Sequence, residues 1–433
     1  MSYNDFSDKA ARYRASIPQA REGLIYLNHC AVSPVTDSVQ QAVLDALELR
    51  RDSRIDRFER QLQVVAETRG MLADITGSGN PDRVAFMQNT TNALNTVAQG
   101  FPWQAGDEVL VADCEFSSNV YAWKNLKRRG VNTRFVPAPD GRVTPERIRN
   151  AITSGTRMVA VSSVQYVSGF RANIAAIGRI CREHNLYLVV DGIQAAGALP
   201  QYAAEWGADA YCGGAHKWLM GPQGIGYLCV SERLHDLLEP VMPGWLSVPD
   251  PWHLYNFNQA TETTARRYEG GTYNTAGIFG LHASLRMLLE VGPERSETHI
   301  LKLAARLTDG FAALGIPAAM PYGSDNALQT AADRAANTGS GATEHPKPQY
   351  RGRPDTSNGY SPHSGITAFQ LDPAADHNEI IQFYRNNGIF ISVRSGMLRI
   401  APHFWNTTNE IDAVINVTAR MPRLQDQYLT AQN

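Results

Sequence analysis

Two stretches of the chain place an acid and an amine at the ends of apolar runs. LYLVVDGIQAAG carries Asp191, and AYCGGAHKWLMGPQGIG carries Lys217. The two side chains lie 26 positions apart (217 − 191). Taken singly, each is ordinary: an aspartate after a strand is commonly a turn or cap residue, and a lysine is normally solvated. At the carboxyl ends of strands in an open α/β sheet, however, both would face one crevice. There the amine can form an imine with an aldehyde. The carboxylate can pair with a ring nitrogen, keep it protonated, and so make the ring an electron sink. Gln194, one turn past Asp191, is placed to hydrogen-bond a phenolic oxygen on such a ring.

A second motif, QNTTNALN, spans residues 88–95. Thr90 and Thr91 stand where a β-rich run hands over to a helical pattern. Free backbone N–H groups and the helix dipole make such a start a phosphate site, and threonine hydroxyls add donors; a plain threonine N-cap is the simpler alternative. His216, next to Lys217, can donate to the same phosphate or shuttle protons, unless it is a core or capping histidine. Phe116, in CEFSSN, can stack on a heteroaromatic ring, unless it merely fills the core. An imine-forming lysine, a carboxylate for a ring nitrogen and a phosphate turn together describe a site for pyridoxal 5'-phosphate. The run GPQGIG after Lys217 superficially looks like a dinucleotide loop, but it precedes a strand and not a helix, so that reading is rejected.

The elements that must position these residues alternate. Strand candidates fall at 84–87, 108–112, 133–136, 158–162, 186–190, 208–212 and 226–230, and helix candidates between them at 91–99, 145–151 and 175–184. Several strands are nearly continuous apolar runs, as expected when both faces are covered. This rhythm predicts an α/β fold with a mostly parallel, seven-stranded sheet flanked by helices, spanning 28–285. A smaller α+β domain, built from 1–27 plus 286–433, is predicted from strand candidates at 365–371, 389–394 and 397–400. A capping box at Thr407–Glu410 should open a last helix. Residues 322–361, rich in Gly, Pro, Ser, Thr and Asn, read as a flexible surface insertion.

Composition excludes several classes. Lys plus Arg number 40 against 42 Asp plus Glu, which gives no electrostatic case for nucleic acid or an anionic membrane. No apolar run approaches a membrane span, and the first residues lack the apolar core of a signal peptide. The five cysteines, Cys30, Cys114, Cys181, Cys212 and Cys229, are scattered and form no CxxC pair. That pattern argues against a disulfide framework or zinc cluster and fits a reducing cytoplasm.

DGIQAAG together with GAHKWLMGPQGIGYL resembles the class V aminotransferases of pyridoxal-phosphate fold type I, a family that includes cysteine desulfurases, selenocysteine lyases, isopenicillin-N-epimerase-like proteins and kynureninases. The resemblance runs from YLNHCAVSP to LRIAPHFWNTTNEID and skips the insertion. It implies that Lys217 is the Schiff-base lysine, Asp191 the partner of the ring nitrogen and Gln194 the ligand of the phenolic oxygen. Thr91, with Thr90, and His216 would hold the phosphate, and Phe116 would stack on the ring. Thr272, in RRYEGGTYN, would reach the phosphate of a partner subunit, which implies a homodimer. Arg399 would grip the substrate α-carboxylate, a task that suits a guanidinium fork. Asn28 would line the substrate side, and Gln165, in SSVQYVSG, would approach the cofactor.

Two departures from the family pattern matter. Gly214 stands where desulfurases often have serine, so one phosphate hydroxyl is missing. Desulfurases also carry a cysteine-bearing loop between two arginines of the C-terminal region, whereas Arg394 and Arg399 are joined here only by Ser-Gly-Met-Leu, and no cysteine follows Cys229. Persulfide formation needs a thiolate, so classical cysteine desulfurase activity is disfavoured. The expected function is an aminotransferase-like or lyase-like reaction at Cα of a small amino acid. Alternatives are a C–S lyase or desulfurase-like enzyme without its own thiol, and an amino-acid epimerase. A non-catalytic binding protein on the same fold is the rival from another class, though intact Lys217, Asp191 and Arg399 argue against it. His29, Trp245 and residues 251–257 are further candidates for the pocket wall.

Overall fold

Alternate residues of the central strands feed two different cores. The computed structural model describes residues 3–51, 58–320, 360–371 and 375–421. Within them the strands are β1 (Ile25–Tyr26), β2 (Val84–Met87), β3 (Glu108–Ala112), β4 (Asn132–Val136), β5 (Thr156–Ser162), β6 (Tyr187–Asp191), β7 (Ala210–Gly214), β8 (Gly226–Val230), β9 (Thr367–Gln370), β10 (Ile389–Phe390), β11 (Ser392–Arg394) and β12 (Met397–Ile400). Leu110, Val159, Val161, Leu188 and Val190 pack into one core. Val109, Val111, Met158, Ala160 and Val189 pack into the other. Side chains alternate across a strand, so a sheet covered on both faces needs apolar residues at every position, and these strands supply them.

The seven-stranded sheet has the order β2-β8-β7-β6-β5-β3-β4. Strands β3 to β7 pair in parallel, while β8 runs antiparallel to both neighbours, β7 and β2. The expectation of a mostly parallel seven-stranded sheet is met. The parallel pairs need helical crossovers, whereas β7 and β8 are joined by a short loop, and that loop holds Lys217.

A separate core gathers Leu303, Leu307 and Phe311 of the helix Pro293–Ala313 with Phe369, Tyr384, Leu398, Ile400 and Ile411. It covers a three-stranded antiparallel sheet, β11-β12-β9. Leu27 joins it from the N-terminal segment, where β1 pairs with β10 in parallel. The last helix, Thr408–Thr418, opens with the expected capping box between Thr407 and Glu410. One correction concerns the single strand expected at 389–394. It is two strands with different partners, β10 on β1 and β11 on β12. A small cluster of Cys30, Ala195, Trp218, Ile300 and Ala401 joins residues of the two regions and includes the neighbour of Lys217 in the chain. The expected insertion at 322–361 lies outside the described residues, apart from Tyr360 and Ser361.

Candidate active site

The ends of β2, β3, β5, β6 and β7 and the β11–β12 hairpin converge on a cavity of about 270 Å³. Asp191 is the last residue of β6, and its carboxylate accepts from the Ile193 N–H at 3.0 Å. It is buried, and burial pushes its carboxyl up to about 7, with the nearby Glu115 charge adding to the effect and Lys217 opposing it. Lys217 sits in the β7–β8 loop with its Nζ 5.7 Å from the centre of the Phe116 ring. Burial lowers the pKa of the amine, and the positive charges of Arg399 and Arg394 lower it further against the pull of Asp191. The loop closes on itself: Met220 N–H donates to the Lys217 carbonyl at 2.8 Å, and Gly221 N–H to the Ala215 carbonyl at 2.8 Å. Met220 takes a left-handed φ of 54° to make the turn, a cost that buried packing sustains.

Thr90 and Thr91 open the helix Thr90–Gly100, which Asn89 caps by accepting from Asn92 N–H at 2.9 Å. The Thr90 hydroxyl is buried and has no hydrogen-bond partner among the described residues. The Thr91 hydroxyl meets that of Ser118 at 2.8 Å. Gly214 explains the missing serine. A Cβ there would come within 3.3 Å of the Thr90 hydroxyl and 3.4 Å of His216 Nδ1, filling the space between these donors. His216 is half-buried, and burial and the Lys217 charge both lower its pKa. An orphaned hydroxyl, a histidine, a helix start and a glycine cradle fit a phosphate, and Asp191 beside Lys217 fits a pyridine ring carrying an aldehyde.

Arg399, from β12, also lines the cavity and is 2% exposed. Among the described residues it donates to the neutral Tyr166 carbonyl and Ser392 hydroxyl (3.2 Å), and its Nε–H has no partner. Arg394 lines the same cavity from β11. Residues Ser395 and Gly396, both left-handed at φ 51° and 74°, make a two-residue turn between Arg394 and Met397. No loop separates the two strands, as the sequence anticipated.

Thr90, Thr91, Phe116, Asp191, Gln194, His216, Lys217 and Arg399 all line this cavity. Three candidates do not. Gln165 is buried behind the wall, donating to Glu115 at 2.9 Å. Asn28 is engaged in a bridge to Ala401 beside Cys30. Thr272 is exposed in another concavity, with Gln88 and Asn92. Of the further candidates, His29 is fully buried among the Tyr26, Trp218, His403 and Trp405 rings and does not reach the cavity, whereas Trp245 is partly exposed.

The cavity also recruits Cys30, Asn89, Ser118, Tyr166 and Arg394, which sequence reading did not select. Tyr166 packs edge-on against Phe116, with ring centres 5.2 Å apart. Its only sequence signal was adjacency to Gln165. Behind the wall, the buried Glu115 carboxylate accepts from Ser162 N–H (2.7 Å), Gln165 and Asn119, tying Phe116 to the end of β5. A larger concavity of about 370 Å³, lined by Arg83, Arg182 and Arg233, contains no lysine and lacks this combination.

Comparison with known proteins identifies the family and the fold. The sequence matches the aminotransferase class V family over residues 25–336. A probable cysteine desulfurase of Methanothermobacter thermautotrophicus is 31% identical over 318 residues, covering 70% of this chain and 78% of that protein. The apo cysteine desulfurase of Thermococcus onnurineus superposes with a TM-score of 0.77 at 24% identity, covering 94% of this chain and 96% of the other. The cystine C–S lyase C-DES, solved with its product cysteine persulfide, superposes with a TM-score of 0.76 at 22% identity, covering 92% and 98%. At these identities the two structures show the shared fold.

Proposed function

The chain belongs to the class V aminotransferase family of pyridoxal-phosphate enzymes, and on that premise we propose that it transforms a small amino acid at Cα, using Lys217 as the base. The observation that carries this reading is Arg399: a buried guanidinium whose Nε–H has no partner among the described residues, lining the same cavity as Lys217. It is the group an α-carboxylate would satisfy. Asp191 would pair with the ring nitrogen, Thr90, Thr91 and His216 would hold the phosphate, Gln194 would donate to the phenolic oxygen, and Phe116 would cover the ring face. The bound cofactor supplies an electron sink for the pair left at Cα when a proton departs. Lys217, its pKa lowered by burial and two arginines, is suited to accept that proton and return it.

A second reading, a C–S lyase that needs no protein thiol, is favoured by the two-residue turn between Arg394 and Met397, which leaves no place for a cysteine-bearing loop. The fold likeness to a cystine C–S lyase accords with it. Cys30 is the cysteine that lines the cavity, so it is the thiol to exclude. Glu115 and Gln165 support the site from behind, and Asn28 does so through Cys30.

The reading extends to assembly and place. A homodimer is supported by the exposure of Thr272 together with Trp252, Leu254, Tyr255 and Phe257, a large apolar surface on one segment. A division between 28–285 and the C-terminal region 286–433 is supported by the separate cores, while the N-terminal segment 1–27 joins both, Phe6 and Ile17 packing in the core of the large sheet and Leu27 in that of the small one. All five cysteines are free, in keeping with a cytoplasmic protein, and no described helix is long and apolar enough to cross a membrane.

The test is a panel of amino acids mixed with purified holoenzyme, reading products. A keto acid selects transamination, pyruvate with a sulfur product selects the lyase, and an inverted enantiomer selects epimerisation. A cofactor-loaded protein that turns over none of them would be the non-catalytic alternative. Sulfur release that survives Cys30→Ser would support the thiol-independent lyase; its loss would overturn it.

A further inference from the structure

Gln194 is held by two partners that each have only one role. Its Oε1 accepts from the Trp218 indole N–H at 2.9 Å, and its Nε2 donates to the Cys30 carbonyl at 2.9 Å. An indole can only donate and a carbonyl can only accept, so the orientation of the amide is determined. Flipping it would oppose donor to donor and acceptor to acceptor in a buried site. Nε2 has a second N–H, and Gln194 lines the cavity. What the amide can offer the cavity from Nε2 is therefore a donor.

Trp218 is itself pinned. It is fully buried, and its carbonyl lies 2.9 Å from His403 Nε2. His403 Nδ1 accepts from the Phe404 N–H at 2.8 Å, so the ring proton sits on Nε2 and donates to Trp218. Burial holds the pKa of His403 down to about 4, which keeps this neutral tautomer through the physiological range. The His29 ring packs beside both.

We infer that Trp218 is a positioning residue: its indole N–H fixes Gln194 with an N–H facing the cofactor's phenolic oxygen, so the residue after the lysine tunes the proton affinity of the lysine–cofactor linkage. This rests on the reading of Gln194 given above. A fixed donor favours the phenolate and so lowers that affinity. Without the indole N–H, the amide loses its orientation and part of this effect.

The experiment is a spectroscopic pH titration of holoenzyme reconstituted with pyridoxal phosphate. It compares the unmodified chain, Gln194→Ala, Trp218→Phe and the double variant. Trp218→Phe should raise the apparent pKa of the linkage toward that of Gln194→Ala, and the double variant should add nothing beyond Gln194→Ala. An unshifted pKa in Trp218→Phe, or additive shifts, overturns the positioning role. An unshifted Gln194→Ala instead overturns the assignment of Gln194 beneath it. If Trp218→Phe does not fold, the same cycle runs with Trp218→His, whose ring keeps an N–H. The shift should then be smaller, and additivity with Gln194→Ala remains the overturning result.

Discussion

Two arginines are buried to a similar depth and are treated in opposite ways. Arg69, 7% exposed, is saturated: it grips both oxygens of Glu269 at 2.6 and 3.1 Å, donates to the Val84 carbonyl and lies over the Phe86 ring. Glu269 in turn accepts from Phe86 N–H and the Tyr273 hydroxyl. Arg399, 2% exposed, has neutral partners and an idle Nε–H. Burying a charge without a counter-charge is costly, so a chain that keeps one has a use for it. The paired arginine belongs to the architecture of the β2 edge, and the under-paired one lines the cavity that holds Lys217.

The contrast can be broken at either end. Arg69→Ala leaves Glu269 buried and unpaired, which should cost about 3–5 kcal/mol in chemical denaturation. A loss below about 1 kcal/mol would mean that the pair is not structural, since that is the range of exposed bridges. Arg399→Ala should leave the denaturation midpoint unchanged or raised, while kcat/KM for the amino acid falls by roughly 30-fold to several thousand-fold, the equivalent of about 2–5 kcal/mol. Lost stability with intact kinetics would reverse the roles of the two arginines.

Asp191 sharpens the comparison, as a buried carboxyl whose hydrogen-bond donor is the Ile193 N–H. Its folded pKa, about 7, lies above the ordinary carboxyl value of 3.8. The folded chain therefore holds this proton more tightly than the unfolded chain does. The resulting stability is fully present below the unfolded value and is lost as pH rises from there through about 7. Thermal melts of cofactor-free protein should show that decline, and Asp191→Asn should flatten it; an unchanged slope would assign it to other groups. The smallest effect belongs to the hairpin that carries Arg399. Gly396→Ala forces a Cβ into a left-handed turn and should cost roughly 1 kcal/mol, with a modest rise in KM for the amino acid. A kcat loss without a KM change would detach the hairpin from substrate binding.

Much of the sheet was legible because its strands are short apolar runs bounded by turn residues. The runs at 84–87, 108–112 and 226–230 coincide with β2, β3 and β8. The break between β10 and β11 was not legible, because nothing in a local pattern says that a strand changes partner after Phe390. The site divides the same way. Lys217, Asp191 and Thr90 stand at element ends, where sequence and position coincide. Tyr166 and Cys30 enter the cavity through loop geometry. In the loop after β5, Gln165 turns inward to Glu115 and Tyr166 turns to the cavity, a choice that depends on a carboxylate 50 positions earlier (165 − 115). Gln194 was legible as a donor, but the partners that orient it were not, since His403 and Trp218 meet only through the tertiary fold.

The antiparallel strand of the seven-stranded sheet, β8, has a consequence for how the site assembles in time. Because β8 returns directly beside β7, the loop bearing Lys217 is closed by contacts between near neighbours in the chain, such as Gly214 with Gly226. The loop-closure entropy of that step is small. Thr90 and Arg399 join from 127 and 182 positions away (217 − 90 and 399 − 217), across far longer loops. Contacts of such range form slowly. The lysine loop can therefore be shaped before either Thr90 or Arg399 reaches it, so a chain still folding would present the amine first and complete the cavity around it last.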